Sequence, residues 1–380
     1  FWLNNDMTKG FAQINPANIQ FKTSLFNQDL ADHVKRMDGV KDVDAAREFS
    51  MEIKTTSGKW NNLNVMAKDF DTASIGKLTL IQGNWPPAKD QIALSNHKFK
   101  DLGISVGDWV TIKDSDGNLF TLKTVAVVQD QMLGTAGGAG GFFAADEEGY
   151  ISTATLDKLK VSYSDYFNKL YITLDGDATN SAVLEKMGEK IHKDLEDNNL
   201  TIISYSTRSP YNHPNIDLVN AIVGLLLMLT FLIVFLSGFL ITNTLQFLLT
   251  QQIQQVGVMK SVGARRRQII LIYAGMIIVF GVLAFFLTLP LTRLITDRLM
   301  SFLSERINFK YFGPRVTAPV LIVQIVLALA VPLLAAIKPV MRGTSLSVQE
   351  ALSGIQQQSP SQGTPRLDHF LARMKSLSRP

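Results

Sequence analysis

LVNAIVGLLLMLTFLIVFLSGFLITNTLQFLLTQQIQQVGVM, residues 218–259, fills the interval between Asp217 and Lys260 with 42 residues and no formal charge. Leu225-Leu226-Leu227-Met228-Leu229 is apolar on every helical face, which lipid accepts and water does not. A bilayer core about 30 Å thick takes roughly 20 helical residues. The stretch is too long for one crossing, since 42 helical residues would reach about 60 Å. Its far end therefore leaves the membrane, and the polar Thr250-Gln251-Gln252-Ile253-Gln254-Gln255 marks where. Two further uncharged stretches follow, 25 residues between Arg267 and Arg293, including Ile277-Ile278-Val279-Phe280, and 22 between Arg315 and Lys338. Pro319 and Pro332 in the last are tolerated in spans, where neighbouring groups satisfy the freed backbone. The predicted spans are 218–245, 268–292 and 316–338, within a membrane domain 216–342 followed by a tail 343–380.

Working outward, Ile253, Val256, Met259 and Val262 lie three apart, so a short helix after the first span is expected to carry one apolar stripe. The loop from Asn243 to Arg267 and the tail from Lys338 together hold 10 Lys and Arg; Arg293 to Arg315 plus Arg208 hold 6. The positive-inside rule places the Gln-rich loop and the tail in the cytoplasm. A short outer loop containing Arg298 and Tyr311 then joins the second and third spans.

Residues 1–215 are a different kind of chain. Phe1 to Ile216 carries 22 Lys and Arg against 28 Asp and Glu, whereas Asp217 to Pro380 carries 15 against 5. An acidic aqueous half excludes nucleic acid as its partner, because that affinity rests on concentrated Lys and Arg. Alternating apolar runs and turn signals predict an α+β domain. Val110-Thr111-Ile112 and Phe120-Thr121-Leu122 flank Asp114-Ser115-Asp116-Gly117-Asn118 as a hairpin. Leu170 to Leu174 and Leu200 to Tyr205 read as strands. Ala182 to Leu195 reads as a helix, with Val183, Met187, Ile191 and Leu195 repeating every four residues on one face. Gly134 to Gly141 reads as a loop, and Phe142-Phe143 as either a core anchor or an exposed apolar tip. Phe1-Trp2-Leu3 reads as the tail of a preceding apolar segment.

The chain has no Cys, which removes disulfides, thiolate metal sites and thiol nucleophiles. His33, His97, His192, His213 and His369 are isolated and lack zinc-hydrolase spacing. There is no Gly-x-Ser-x-Gly and no phosphate loop ending in Lys-Ser/Thr. Asp146-Glu147-Glu148 is the one carboxylate run that a cation could use, although adjacent carboxylates on a loop are ordinarily solvated. No Asp, Glu, Lys, Arg or His lies at mid-depth in a span, which disfavours an ion-coupled carrier. The sequence offers no catalytic, cofactor-binding or metal residue.

Gln255-Val256-Gly257-Val258-Met259-Lys260-Ser261-Val262-Gly263-Ala264-Arg265-Arg266-Arg267-Gln268-Ile269 resembles the REIGxxRAxGAxRRQI segment of the MacB/FtsX/LolC family of ABC permeases. Pro339, Arg342 and Ser347-Val348-Gln349-Glu350-Ala351-Leu352 resemble its closing P…R…(D/S)PxEAL element. Gly83-Asn84-Trp85-Pro86 with Leu102-Gly103-Ile104-Ser105-Val106-Gly107-Asp108 is similar to the GRWP…LGLKVGD pattern of its exterior domain. Where the family has Arg-Glu, this chain has Gln254-Gln255, so an ion pair from that Glu is not available.

The resemblance implies a non-catalytic permease subunit in a bacterial inner membrane, with residues 1–215 as an extracytoplasmic MacB-like domain. A separate cytoplasmic ABC ATPase would bind the ATP and Mg, docking on segment 250–267 through Gln255, Val256, Gly257, Val258, Met259, Lys260, Gly263 and Ala264. Arg265, Arg266 and Arg267 would anchor at lipid headgroups. The expected cargo is an amphiphile such as a lipid, lipoprotein, peptide or drug. The alternative is an FtsX-like signalling scaffold that activates an exterior cell-wall hydrolase without transport. A homodimer or a two-copy pseudo-dimer and an extracytoplasmic partner are further expectations, as is a span missing before Phe1.

Overall fold

The computed structural model describes residues 2–96, 99–133, 146–315 and 317–348. The Gly-rich segment 134–141, Phe142-Phe143, His97, His369 and the Gln349-Glu350-Ala351-Leu352 motif lie outside them. The chain divides into two compact units, 1–227 with 293–315, and 228–292 with 316–380.

The first unit is α+β, as the sequence predicts. It begins with helix α1 (Trp2–Gln13), followed by β1 (Ile19–Phe26), α2 (Gln28–Lys35), β2 (Val40–Lys54), β3 (Trp60–Ala67), β4 (Thr79–Gly83) and β5 (Gln91–Ser95). Then come the short α3 (Phe99–Leu102), β6 (Trp109–Lys113), β7 (Leu119–Gln129), β8 (Glu147–Ile151), β9 (Phe167–Leu174), α4 (Ser181–Asp197) and β10 (Ile202–Thr207). The strands pair in the order β10-β1-β9-β2-β3-β8-β5-β7-β4, and β6 bridges β2 and β7. That bridge closes a ring, β2-β3-β8-β5-β7-β6, with Ile53 opposite Ile112 and Ile112 opposite Phe120. Met51, Ile53, Leu63, Val65, Ile92, Leu94, Ile112, Leu122 and Ile151 fill it, and those on β2, β3 and β5 are every second residue, as a closed barrel requires. The hairpin expected around Asp114 to Asn118 is β6–β7. Asp114 accepts from the backbone N–H groups of Asp116 and Asn118, which fixes the turn.

β2 runs on beyond the ring and pairs with β9, then β1 and β10, forming a second layer covered by α2 and α4. On α4 the buried residues are Leu184, Gly188, Ile191 and Leu195, and Val183 is exposed. The expected face was built on a four-residue repeat. At 3.6 residues per turn such a repeat drifts about 40° per step, and over three steps it carries Val183 out of the stripe. The two exterior-domain motifs meet at Gly83, whose missing Cβ would fall 2.1 Å from the Val125 carbonyl and 3.0 Å from Val106. A side chain there would force β4 off β7.

Among the described residues the remaining helices are α5 (Ile216–Gln251), α6 (Ile253–Ser261), α7 (Arg266–Ile307) and α8 (Ala318–Gly343), and α5, α7 and α8 are each long and apolar enough to cross a membrane. The outer loop expected after residue 292 is instead helical as far as Ile307. Arg293, Asp297 and Arg298 do not stop it, because a charged residue ends an apolar stretch without ending a helix. Leu303 and the buried Met300 and Ile307 of this extension pack with Leu3, Met7 and Val219 in the first unit.

The chain after Ile307 is tied down one residue at a time. Gln129 Nε2 donates to the Phe309 carbonyl at 3.0 Å, and the Asn308 amide donates to the Asp130 carbonyl. His213 Nε2 lies 3.2 Å from the Asn308 carbonyl, and Asn215 Nδ2 donates to that of Ile307 at 2.8 Å. Fully buried Asp6 pairs with Arg315 and accepts from the Phe312 N–H at 3.2 Å. These are buried partners for a segment that would otherwise strand polar backbone.

Candidate functional site: the short helix between the first two long ones

A single residue, Gln252, separates α5 from α6. The Gln252 backbone (φ −95°, ψ 8°) turns the chain, and its side chain accepts from the Tyr273 hydroxyl of α7 at 2.9 Å. The other end of α6 closes in a Schellman arrangement. The Gly263 N–H reaches the Lys260 carbonyl at 3.0 Å and the Ala264 N–H reaches that of Met259 at 2.9 Å. Gly263 has φ +102°, a conformation that any Cβ penalises. Met259 and Ala264 pack beside one apolar cluster, the contact that accompanies this type of helix end. Helix α7 then starts at once. Gln268, at its third position, accepts from the Arg265 N–H at 2.8 Å, which is half of a capping box. The string Gly263 to Gln268 is thus a helix stop joined directly to a helix start.

The predicted residues fall into two sets. Val256 (1% exposed) and Gly257 are buried, with Val256 beside Leu245, Leu249, Ile269, Tyr273, Ala336 and Val340. Met259, Lys260 and Ala264 are half-buried. Lys260 Nζ donates to the carbonyls of Thr344 and Leu346 at 2.8 and 2.6 Å, putting a cation on the unsatisfied carbonyl end of α8. Gln255 and Val258 (52% exposed) face outward, with Gln254, Ser261 and Val262 (85% exposed). Gly263 and Arg265, Arg266 and Arg267 are also exposed, and Arg266 Nη2 donates to the Met341 carbonyl at 3.0 Å.

The single stripe expected from Ile253, Val256, Met259 and Val262 is not formed. Nine residues at 100° each bring Val262 half a turn away from Ile253, so the two lie on opposite faces. The free face is instead Gln254, Gln255, Val258, Ser261 and Val262. Val262 and Ser261 were missed as members of it, although the i, i+4 spacing of Val258 and Val262 is a readable signal.

Asp146, Glu147 and Glu148 do not converge. Glu147 and Glu148 are consecutive on β8 and so point to opposite faces, while Asp146 and Glu148 accept from Asn62 and Asn64. Burial pushes the Glu148 carboxyl up to about 8, with Asp130 and Glu48 adding to the rise. His33 pairs with Asp194 and His192 with Glu196, while burial lowers His213 to about 4. Among the described residues no group of three or more His, Asp or Glu is placed to hold a metal ion.

Three helices long and apolar enough to cross a membrane, with a short capped helix presenting a free face between the first two, make up this site. Residues 202–348 match the family model described as FtsX-like permease C-terminal. Comparison with curated protein sequences finds no match. Among solved structures, the extracellular domain of the noncanonic ABC-type transporter YknZ from Gram-positive bacteria is 13% identical, with 50% of this chain and 100% of that one covered and a TM-score of 0.33. The periplasmic region of MacB from Actinobacillus actinomycetemcomitans is 15% identical, with 56% and 95% covered and a TM-score of 0.32. Likenesses at these scores support no functional conclusion.

Proposed function

We propose that this chain is the membrane subunit of an ABC-type permease that turns ATP hydrolysis by a separate cytoplasmic ATPase into motion of its extracytoplasmic α+β domain, so moving or extracting an amphiphile. One observation carries the reading. Helix α6 is held on one face by Val256, Gly257 and Lys260 and leaves Gln255, Val258 and Val262 uncovered on the other. A helix pinned on one side and free on the other can take a load without rolling. Tyr273 of α7 bonds Gln252 at the head of α6, and Lys260 bonds the Thr344 and Leu346 carbonyls just past α8, so a displacement has a physical path through packed contacts. The free face is uncharged, which suits a docking patch of small apolar area with a polar amide rim. In this chain Gln254-Gln255 would bond to the ATPase as amides rather than as an ion pair.

The test is to purify the tagged chain in mild detergent and ask whether an ABC-type ATPase accompanies it, then to repeat with Val258→Asp and Val262→Asp. Both positions are exposed, so the variants are expected to fold and to lose the ATPase. An ATPase absent from every preparation, or undiminished by both substitutions, would end the proposal.

A further inference from the structure

The second unit has no acidic residue among its described positions, and its six basic ones, Lys260, Arg265, Arg266, Arg267, Lys338 and Arg342, all lie on the α6 side of its long helices. An apolar groove of about 590 Å³ lies between the start of α7 and the end of α8, lined by Ile270, Ala274, Ile277 and Ile337 together with Arg266 and Arg267. Arg266 spends one donor on the Met341 carbonyl, which fixes its position and leaves its other N–H groups available. Arg267 makes no ion pair among the described residues, so nothing on this unit neutralises it.

We infer that this groove binds one anionic phospholipid, with the phosphate held by Arg266 and Arg267 and an acyl chain laid along Ile270, Ala274 and Ile337. From Arg267 to Ile277 the helix rises about 15 Å, the depth of one leaflet of a core about 30 Å thick. A planar guanidinium suits a phosphate because it can offer two parallel donors. The larger apolar groove, about 750 Å³ and lined by Ile233, Phe280 and Gln324 among others, has no charged residue in its lining and selects no headgroup. The inference requires only that the helices cross a membrane, and stands apart from ATPase docking.

The full chain would be reconstituted in nanodiscs of equal parts phosphatidylcholine and phosphatidylglycerol, re-extracted in mild detergent, and its retained lipid identified by mass spectrometry. Phosphatidylglycerol should be enriched over phosphatidylcholine. Arg266→Gln with Arg267→Gln should lower that enrichment about 30-fold, from about fivefold for each positive charge removed near anionic lipid. Ala274→Phe, which fills the groove and keeps both arginines, should lose the lipid as well, and Ile337→Phe serves if Ala274→Phe melts early. Several results would each overturn the inference: equal retention of the two lipids, retention unchanged by the arginine pair or by the groove-filling variants, displacement by inorganic phosphate as effective as by a short-chain phosphatidylglycerol, or a second copy of the chain seated in a lipid-free groove.

Discussion

Lys260 is the residue on which the short helix turns from an isolated segment into part of the membrane unit. It sits in the last turn of α6 yet gives its donors to carbonyls more than eighty positions away, at Thr344 and Leu346. Lys260→Met keeps the length and apolar stem and removes both bonds. Hydrogen bonds from a charged donor are worth about 1.5–3 kcal/mol, and this half-exposed pair should fall at or below the lower end. The expected outcome is a small fall in melting temperature and a larger fall in ATPase stimulation by the chain; stimulation equal to wild type would show that the tie carries no load. At Glu148 the prediction concerns pH. Its folded-state carboxyl titrates near 8, above the ordinary value of 4.5, so the folded protein binds more protons than the unfolded one between those limits. Stability from this group is therefore lost as pH rises from about 4.5 to 8. Glu148→Gln should flatten that limb of a melting-temperature profile, and a limb of unchanged slope would assign the dependence elsewhere. His213 works in the opposite sense: its folded value of about 4 lies below 6.5, so its contribution is complete above pH 6.5 and falls away below it.

At the scale of elements, legibility depended on how local the determining contact is. The long helices were readable because their apolar composition is a property of each segment alone, whatever it packs against. The hairpin at Asp114 to Asn118 was readable for the same reason, its turn being fixed by residues within five positions. Faces were less secure. Counting by fours on α4 and by threes on α6 each kept the right helix and misplaced one residue, Val183 and Val262, because small phase errors accumulate along a helix. The α4 correction can be checked directly: Leu184→Ala should cost about 2–5 kcal/mol as a core truncation and Val183→Ala less than about 0.5 kcal/mol. Equal costs, measured by thermal melting in detergent, would restore the four-residue face. Gly263 is the matching test on the helix stop. Gly263→Val would hold a β-branched residue at positive φ for about 1–3 kcal/mol of strain, and should weaken ATPase co-purification by shifting α6 rather than by touching its free face. What could not be read was the pairing of Tyr273 with Gln252, or of β6 with β2, since neither leaves a local trace.

For the molecule as a whole, the charge asymmetry seen in the sequence is sharper in three dimensions: the described acids are all in the first unit, and the second is purely basic among its described residues. The first unit is also discontinuous, because residues 293–315 return to it after the chain has left. That return has a consequence for the order of assembly. Asp130, Asp6 and the Gln129 amide are in place early in synthesis, yet their partners Asn308, Phe309, Phe312 and Arg315 are made only after two long apolar helices. Until then the Asp6 carboxylate, the Gln129 amide and the Asp130 carbonyl lack the partners that the finished unit gives them. The first unit therefore cannot reach its final state until α5 and α7 have been synthesised, so that a chain stopped at residue 292 should present this unit loosened and open to protease at α1.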